Sequence, residues 1–252
     1  MQFKKLFLYI LLTSFAFTSC EEKMSEDEIV QIGITQYKVP SPFISKIGFD
    51  AQRCAFSSSV RGMKGVVLIE IPANQTDTPR YWQHPSWDDV GYMGAITTDD
   101  KGNAYTAPIP VVNVLDNPFS IINRVYKIDA NTAEMKAFSI LPIPDSSKPI
   151  VPFGVLGVYY DIHGQKLYAS SVAGSTRDEE NGVIYSIDPI SGKVVEELKG
   201  HDAMSLVVGG ITGEKRLYFG SARSSDIYSI ELTKSGKFKG DIRTELSLDQ
   251  LG

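Results

Sequence analysis

From residue 43 onward the apolar residues come in short runs rather than in helical stripes. Each run is about five to eight residues long and rich in Val, Ile, Tyr and Phe, and Gly, Asp, Asn or Ser closes it. This is the pattern of strands separated by tight turns. No stretch after residue 20 carries a convincing period of 3.6. The runs fall into four sets of four. The first set is "SKIGFDAQ", "RCAFSSS", "GVVLIEI", "RYWQH", and the second is "MGAITTDDKG", "NAYTAPI", "NRVYKID", "EMKAFSIL". The third is "GVLGVYYDIHG", "QKLYASSV", "GVIYSID", "KVVEELKG", and the fourth is "SLVVGGITGE", "KRLYFGSA", "DIYSIEL", "KFKGDIRTEL".

An aromatic recurs in the second run of each set, at Phe56, Tyr105, Tyr168 and Tyr218, and the third run recurs around Leu68, Tyr126, Tyr185 and Tyr228. A repeat of about 50 residues with four strands per unit is the signature of a β-propeller blade. A sandwich also has many strands but does not repeat one four-strand sentence. The sequence therefore predicts an all-β chain, a β-propeller of four-stranded antiparallel blades. Four blades are visible, at about residues 43–84, 92–141, 153–199 and 203–246, within a propeller region of 31–252. Upstream, "IVQIGITQY" reads as one more strand, a candidate to close the ring with the last blade.

Counted from axis to rim, the first-to-second turns ("DDKG", "DIHG", "TGEK") and the third-to-fourth turns ("DANTAE", "DPISGK", "TKSGK") are tight and read as architecture. The second-to-third loops ("PIPVVNVLDNPFSII", "AGSTRDEEN") and the linkers between blades ("HPSWDDVGY", "LPIPDSSKPIVPFG") are longer. In an up-and-down blade these two kinds of connection emerge together, opposite the tight turns. Binding residues concentrate on long loops held by a rigid scaffold, so one face is expected to carry function. Phe43, Tyr92, Phe153, His201 and Asp202 enter the innermost strands and are expected to ring the channel mouth there as ligand-binding residues. Trp87, Asp88, Asp89, Asp116 and Arg177 stand in nearby loops. The plainer reading is that the aromatics plug the channel and the acids are solvated. His201 beside Asp202 also offers an acid/base pair, but neighbours on a strand point to opposite sides.

Composition narrows the class of partner. Of 252 residues, 42% are apolar and 22% charged, an ordinary soluble balance. The formal net charge of −5 excludes nucleic acid as the main partner, because neutralising phosphates needs a basic face. At the N-terminus, "MQFKK" and the apolar run "LFLYILLTSFAF" have the layout of a secretory signal over residues 1–20, too short to span a bilayer. The acidic "EEKMSEDE" that follows reads as a solvated tether over 21–30.

Phe17-Thr18-Ser19-Cys20 resembles the lipobox of bacterial lipoproteins. That resemblance implies lipid on Cys20, attachment to the membrane through it, and export to the outer membrane or cell surface. The acidic stretch behind Cys20 is similar to the surface-export signal of Bacteroidota lipoproteins. With Cys20 lipidated, Cys54 has no partner for an intrachain disulfide.

The blade unit, carried best by "KLYASSV" and "GVIYSIDPISGKV", resembles the SMP-30/gluconolactonase-like and NHL-type six-bladed propellers over residues 43–246. Six blades of about 50 residues need more chain than is present, so the resemblance implies a truncated ring. It also implies a divalent cation, Ca or Zn, in the channel of a lactonase- or esterase-type hydrolase. Only Asp202, in "HDAMS", matches that family's metal ligands. "SPFIS" lacks the early Glu, and Phe153 replaces a middle-blade Asn. One carboxylate does not hold a hard cation. The tryptophan motifs of quinone-cofactor propellers are missing, as are the nucleophile-elbow, P-loop and zincin motifs. Two main readings stand. The first is an envelope-anchored propeller lipoprotein that binds a small ligand or protein on its loop-rich face, with no cofactor assigned. The alternative is a metal-dependent hydrolase with Asp202 as one ligand. A small-molecule carrier of the royal-jelly kind is a third. Whether the chain is an enzyme stays open.

Overall fold

Alternating apolar runs closed by Asp- and Gly-containing turns build four antiparallel sheets in the computed structural model. It describes residues 39–248 except 59, 61, 75, 110–116, 144–152 and 212–213. The signal segment, Cys20, the tether, "IVQIGITQY" and Asp116 lie outside the described residues. The first sheet holds β1 (Cys54–Ser57), β2 (Val67–Glu70) and β3 (Arg80–Trp82). The second holds β4 (Met93–Thr98), β5 (Ala104–Pro108), β6 (Arg124–Ile128) and β7 (Met135–Ile140). The third is β8 (Val155–Asp161), β9 (Lys166–Ser171), β10 (Val183–Ile187) and β11 (Val194–Lys199). The fourth is β12 (Ala203–Ile211), β13 (Glu214–Ser221), β14 (Asp226–Leu232) and β15 (Phe238–Ser247). Each sheet is a meander in chain order, and the innermost strands β4, β8 and β12 lie side by side. This is a β-propeller, with each sheet a blade.

The first blade departs from expectation. "SKIGFDAQ" was expected to be its inner strand, but the chain there ends a helix, α1 (Pro42–Lys46), and makes a 3-10 turn at Ala51–Arg53. Pro42 occupies the first helical position, where its fixed φ favours the helix and its missing N–H costs nothing. Ser41 does not cap the helix. Its hydroxyl donates to the Gly102 carbonyl at 2.6 Å, and the Phe43 amide donates to Ala130 at 3.1 Å. A second short helix, α2 (Pro85–Asp88), breaks the linker after β3. His84 caps it by accepting from the Ser86 amide at 3.2 Å. At four and five residues, both helices are too short to leave a periodic stripe.

Three apolar layers lie between successive blades. Between the first and second, Phe43, Leu68, Trp87, Met93 and Tyr126 are buried together. Tyr105, Tyr160, Leu167 and Tyr185 fill the second layer, where the Tyr105 and Tyr160 rings stack with centroids 6.0 Å apart. Tyr168, Ile184, Leu206, Leu217 and Phe219 fill the third. The repeated aromatics thus have fixed directions. Phe56, Tyr105 and Tyr168, on second strands, face the following blade, while Tyr126, Tyr185 and Tyr228, on third strands, face the preceding one. Odd and even positions of a strand serve opposite faces.

The tight turns are built by their own acids. Asp99 accepts from the Lys101 and Asn103 amides at 2.9 and 2.8 Å, Asp129 from Asn131 and Thr132 at 2.8 and 2.9 Å, and Asp188 from Ile190 and Ser191 at 3.1 and 2.7 Å. Such side-chain-to-backbone bonds are the reason Asp recurs in turns.

Candidate functional site

The long connections gather opposite the tight turns. Between the third and fourth blades they line an open pocket of about 630 Å³. Phe153 from the linker before β8, Leu156 on β8, Val172 after β9 and Met204 on β12 supply its apolar lining. The β9–β10 loop adds Ser175, Thr176 and Arg177, and the β13–β14 loop adds Ala222 and Arg223, with Asp202 between. Phe153 and Met204 are 45% and 58% exposed although both are large and apolar.

Asp202 fixes one wall. Its side chain is buried, and one carboxylate oxygen accepts from the Ser175 hydroxyl and from the Gly182 amide at 2.9 Å. The other oxygen is ion-paired with the Arg223 Nε. Arg223 spends its remaining donors on the β9–β10 loop. Nη1 donates to the Arg177 carbonyl at 3.0 Å, and Nη2 donates to Thr176 and Glu179 at 2.6 and 2.7 Å. Glu180 accepts the Asp202 amide at 2.7 Å. Gly182 admits this close approach because a Cβ there would stand 2.3 Å from the His201 carbonyl and 2.5 Å from the Asp202 carboxylate. The latch therefore ties a long loop of the third blade to the fourth.

The expected site residues part company. Phe153 and Asp202 meet at the pocket, joined by Arg177. His201 does not join them. Its ring lies 5.3 Å from Phe219 and 5.9 Å from Tyr228, and burial pulls its imidazole below the usual 6.5 in spite of Glu180 and Asp202 nearby. It is therefore not paired with Asp202 for acid/base work. Tyr92 belongs to the second blade, where its amide and carbonyl are bound by the Asn117 side chain at 2.8 and 3.0 Å. Phe43 corrects the ring of rim residues. It sits on α1 against the turns of the second blade, buried among Phe56, Trp82 and Trp87 at 5.6–6.3 Å. Trp87 is core too, and its indole N–H donates to Ala133 at 2.7 Å.

For a metal, the donor set around Asp202 is a poor match. Three donors already use its oxygens, and a cation there competes with a guanidinium. Among the described residues no group of three His, Cys, Asp or Glu side chains is placed to hold an ion. The sequence missed Arg223 and Met204. Arg223 follows "GSA" in a short loop and Met204 sits in a strand, so neither carried a signal before the blades were stacked.

No family model matches the chain, and no curated protein matches it. Among solved structures it is similar to a quinonprotein alcohol dehydrogenase-like protein from Bacteroides thetaiotaomicron VPI-5482. The identity is 16% over 74% of this chain and 42% of that one, with a TM-score of 0.42. It is also similar to a GH43 β-1,3-galactosidase solved with galactodeoxynojirimycin, at 8% identity over 66% of this chain and 65% of that one, TM-score 0.39. A further GH43 β-1,3-galactosidase gives 12% identity over 66% and 38%, TM-score 0.38. The chain spans less than two thirds of each of these proteins. The assignment of the fold rests on the sheet order itself.

Proposed function

We propose that the chain is an exported, lipid-anchored β-propeller that binds a small ligand in the pocket between its third and fourth blades. One observation carries this reading. Phe153 and Met204 present apolar surface to a concavity whose wall is fixed by the Asp202–Arg223 latch. Exposed apolar side chains on a soluble domain mark contact sites when they are grouped, and a cavity of this volume suits a drug-sized molecule. The anchor rests on the signal segment and lipobox-like residues ending at Cys20.

The test is a thermal-shift screen of the mature protein against small aromatic, sugar and acid ligands, repeated with Phe153→Ala. A bound ligand stabilises by about 2.7 kcal/mol at a hundredfold excess over Kd. That gain should disappear in the variant. Hits that stabilise both proteins equally would move the site elsewhere. Cys20→Ala, followed by alkyne-palmitate labelling and envelope fractionation, tests the anchor, and labelling of the variant would sink it.

A further inference from the structure

Among the described residues the lining of this pocket holds three charged side chains, and two of them neutralise each other. Asp202 and Arg223 form the latch, with both carboxylate oxygens and all three guanidinium nitrogens in hydrogen bonds. Arg177 is different. Its side chain is exposed at the pocket and makes no hydrogen bond or ion pair with another described residue. Its backbone is nonetheless held, because its carbonyl accepts from Arg223. A fixed loop thus presents one unspent guanidinium beside the apolar surface of Phe153, Leu156 and Met204.

The neighbouring acids do not cancel this charge inside the pocket. Asp178, Glu179 and Glu180 follow Arg177 in the loop, but none of them lines the cavity. Glu180 is turned to the Asp202 amide, and Glu179 accepts from Asn181 at 3.3 Å. Among the described residues the cavity wall therefore carries a net single positive charge. A guanidinium offers paired donors that match the oxygens of an oxyanion, which makes it the natural reader of such a group.

We infer that the ligand is an anionic amphiphile, an apolar body seated against Phe153, Leu156 and Met204 with one oxyanion held by Arg177. The inference rests on the binding reading above and adds the charge of the ligand. Arg177 makes direct contact, whereas Arg223 acts by positioning the loop.

Two fluorescent probes share an anilinonaphthalene body and differ in charge: 1-anilinonaphthalene-8-sulfonate and the neutral N-phenyl-1-naphthylamine. Both are titrated into the mature protein and into Arg177→Gln, Phe153→Ala and Met204→Ser. The sulfonate should bind saturably at one site and about tenfold tighter than the neutral probe, a difference of about 1.4 kcal/mol. Arg177→Gln should abolish that preference and leave the neutral probe unchanged, and its unfolding midpoint should match wild type because the side chain is exposed. Phe153→Ala and Met204→Ser should weaken both probes. Equal affinities in the wild type, or a preference that survives Arg177→Gln, would overturn the anion inference while the pocket stands. Absence of saturable binding by either probe, or indifference of both to Phe153→Ala and Met204→Ser, would overturn the pocket itself.

Discussion

Replacing Arg223 with Met removes one partner of a buried ion pair and leaves a carboxylate behind. Asp202 is 4% exposed and keeps only the Ser175 hydroxyl and the Gly182 amide as donors. Breaking a fully buried pair costs about 3–5 kcal/mol. The Arg223 side chain is 28% exposed, so water reaches the vacated position and the expected loss lies lower, at about 2–3 kcal/mol. The three loop carbonyls it releases are accessible to solvent and add little. Asp202→Asn exchanges a charged acceptor for an amide whose N–H₂ or C=O faces the guanidinium, for a loss of about 2 kcal/mol. Because each change destroys the same contact, the double variant should lose less than the sum, by about 1–2 kcal/mol of coupling. Equilibrium urea unfolding followed by far-UV circular dichroism measures all four proteins. Hydrogen exchange at the Gly182 amide, which donates to Asp202, provides a local readout and should accelerate in Asp202→Asn. Single variants that each cost under about 0.5 kcal/mol and add without coupling would refute the latch.

Three other outcomes follow from the same structure. Trp87 is fully buried against Phe43, Phe56 and Trp82, so Trp87→Ala should lose about 3–5 kcal/mol in the same unfolding assay; a loss under about 1 kcal/mol would remove it from the core. The Arg80 side chain and the Asp50 amide hold the Glu70 carboxyl at about 2, below its ordinary 4.5. A depressed carboxyl contributes stability above its unfolded value and loses it as pH falls through the folded one. The advantage of wild type over Glu70→Gln should therefore be full above about pH 4.5 and gone near pH 2, and a constant difference would contradict the pairing. Melting of the mature protein in EDTA should match melting with Ca²⁺, Mg²⁺ or Zn²⁺ added back, since the Asp202 oxygens are already bonded. A shift restored by one ion would return the lactonase-type reading to the front.

The strands were legible because their residues answer to a local rule. Tyr105 and Tyr168 occupy corresponding places on the second strands of successive blades, as Tyr126 and Tyr185 do on the third strands, and period-two alternation sends each to one interface. Turn acids such as Asp129 and Asp188 were legible for the same reason, since their bonds close within three residues. The first blade was misread where "SPFISK" turned out helical, because five residues are too few to establish a period. Phe43 was consequently set on the wrong face. Its place is decided by a contact with Ala130, 87 residues on in the chain, and no local pattern encodes that partner. The site was half legible. Phe153 and Asp202 were picked out as residues entering innermost strands on the loop-rich face and Arg177 by its place in a long loop, while Arg223 and Met204 became visible only when two blades met.

The interface between the third and fourth blades is tied at both ends, by an ion pair at one and by the hydrogen bonds of the latch at the other. On the tight-turn side Lys215 and Asp161 pair across the blades with side chains 1% and 2% exposed, and the Tyr168 hydroxyl donates to the Gly236 carbonyl. On the loop side Asp202 and Arg223, paired within the fourth blade, make the second tie through their hydrogen bonds to Ser175, Gly182 and the carbonyls of the β9–β10 loop. Buried pairs add little net stability over apolar packing, since desolvation offsets the attraction, but a wrong register leaves a charge unpaired. Ties at opposite ends of one interface oppose both tilting and sliding of β12 against β8. Met204 and Leu156 lie on those two strands, so the ties set the spacing of the apolar lining. A preformed cavity binds without the cost of ordering its walls. Loosening the loop-side tie alone should therefore weaken binding more than a change of equal stability elsewhere. Titration of the neutral probe into Arg223→Met beside Leu68→Ala, a buried first-blade change expected to cost about 2–5 kcal/mol, makes that comparison once the two are matched in unfolding free energy: equal effects on affinity would show that the latch serves only stability.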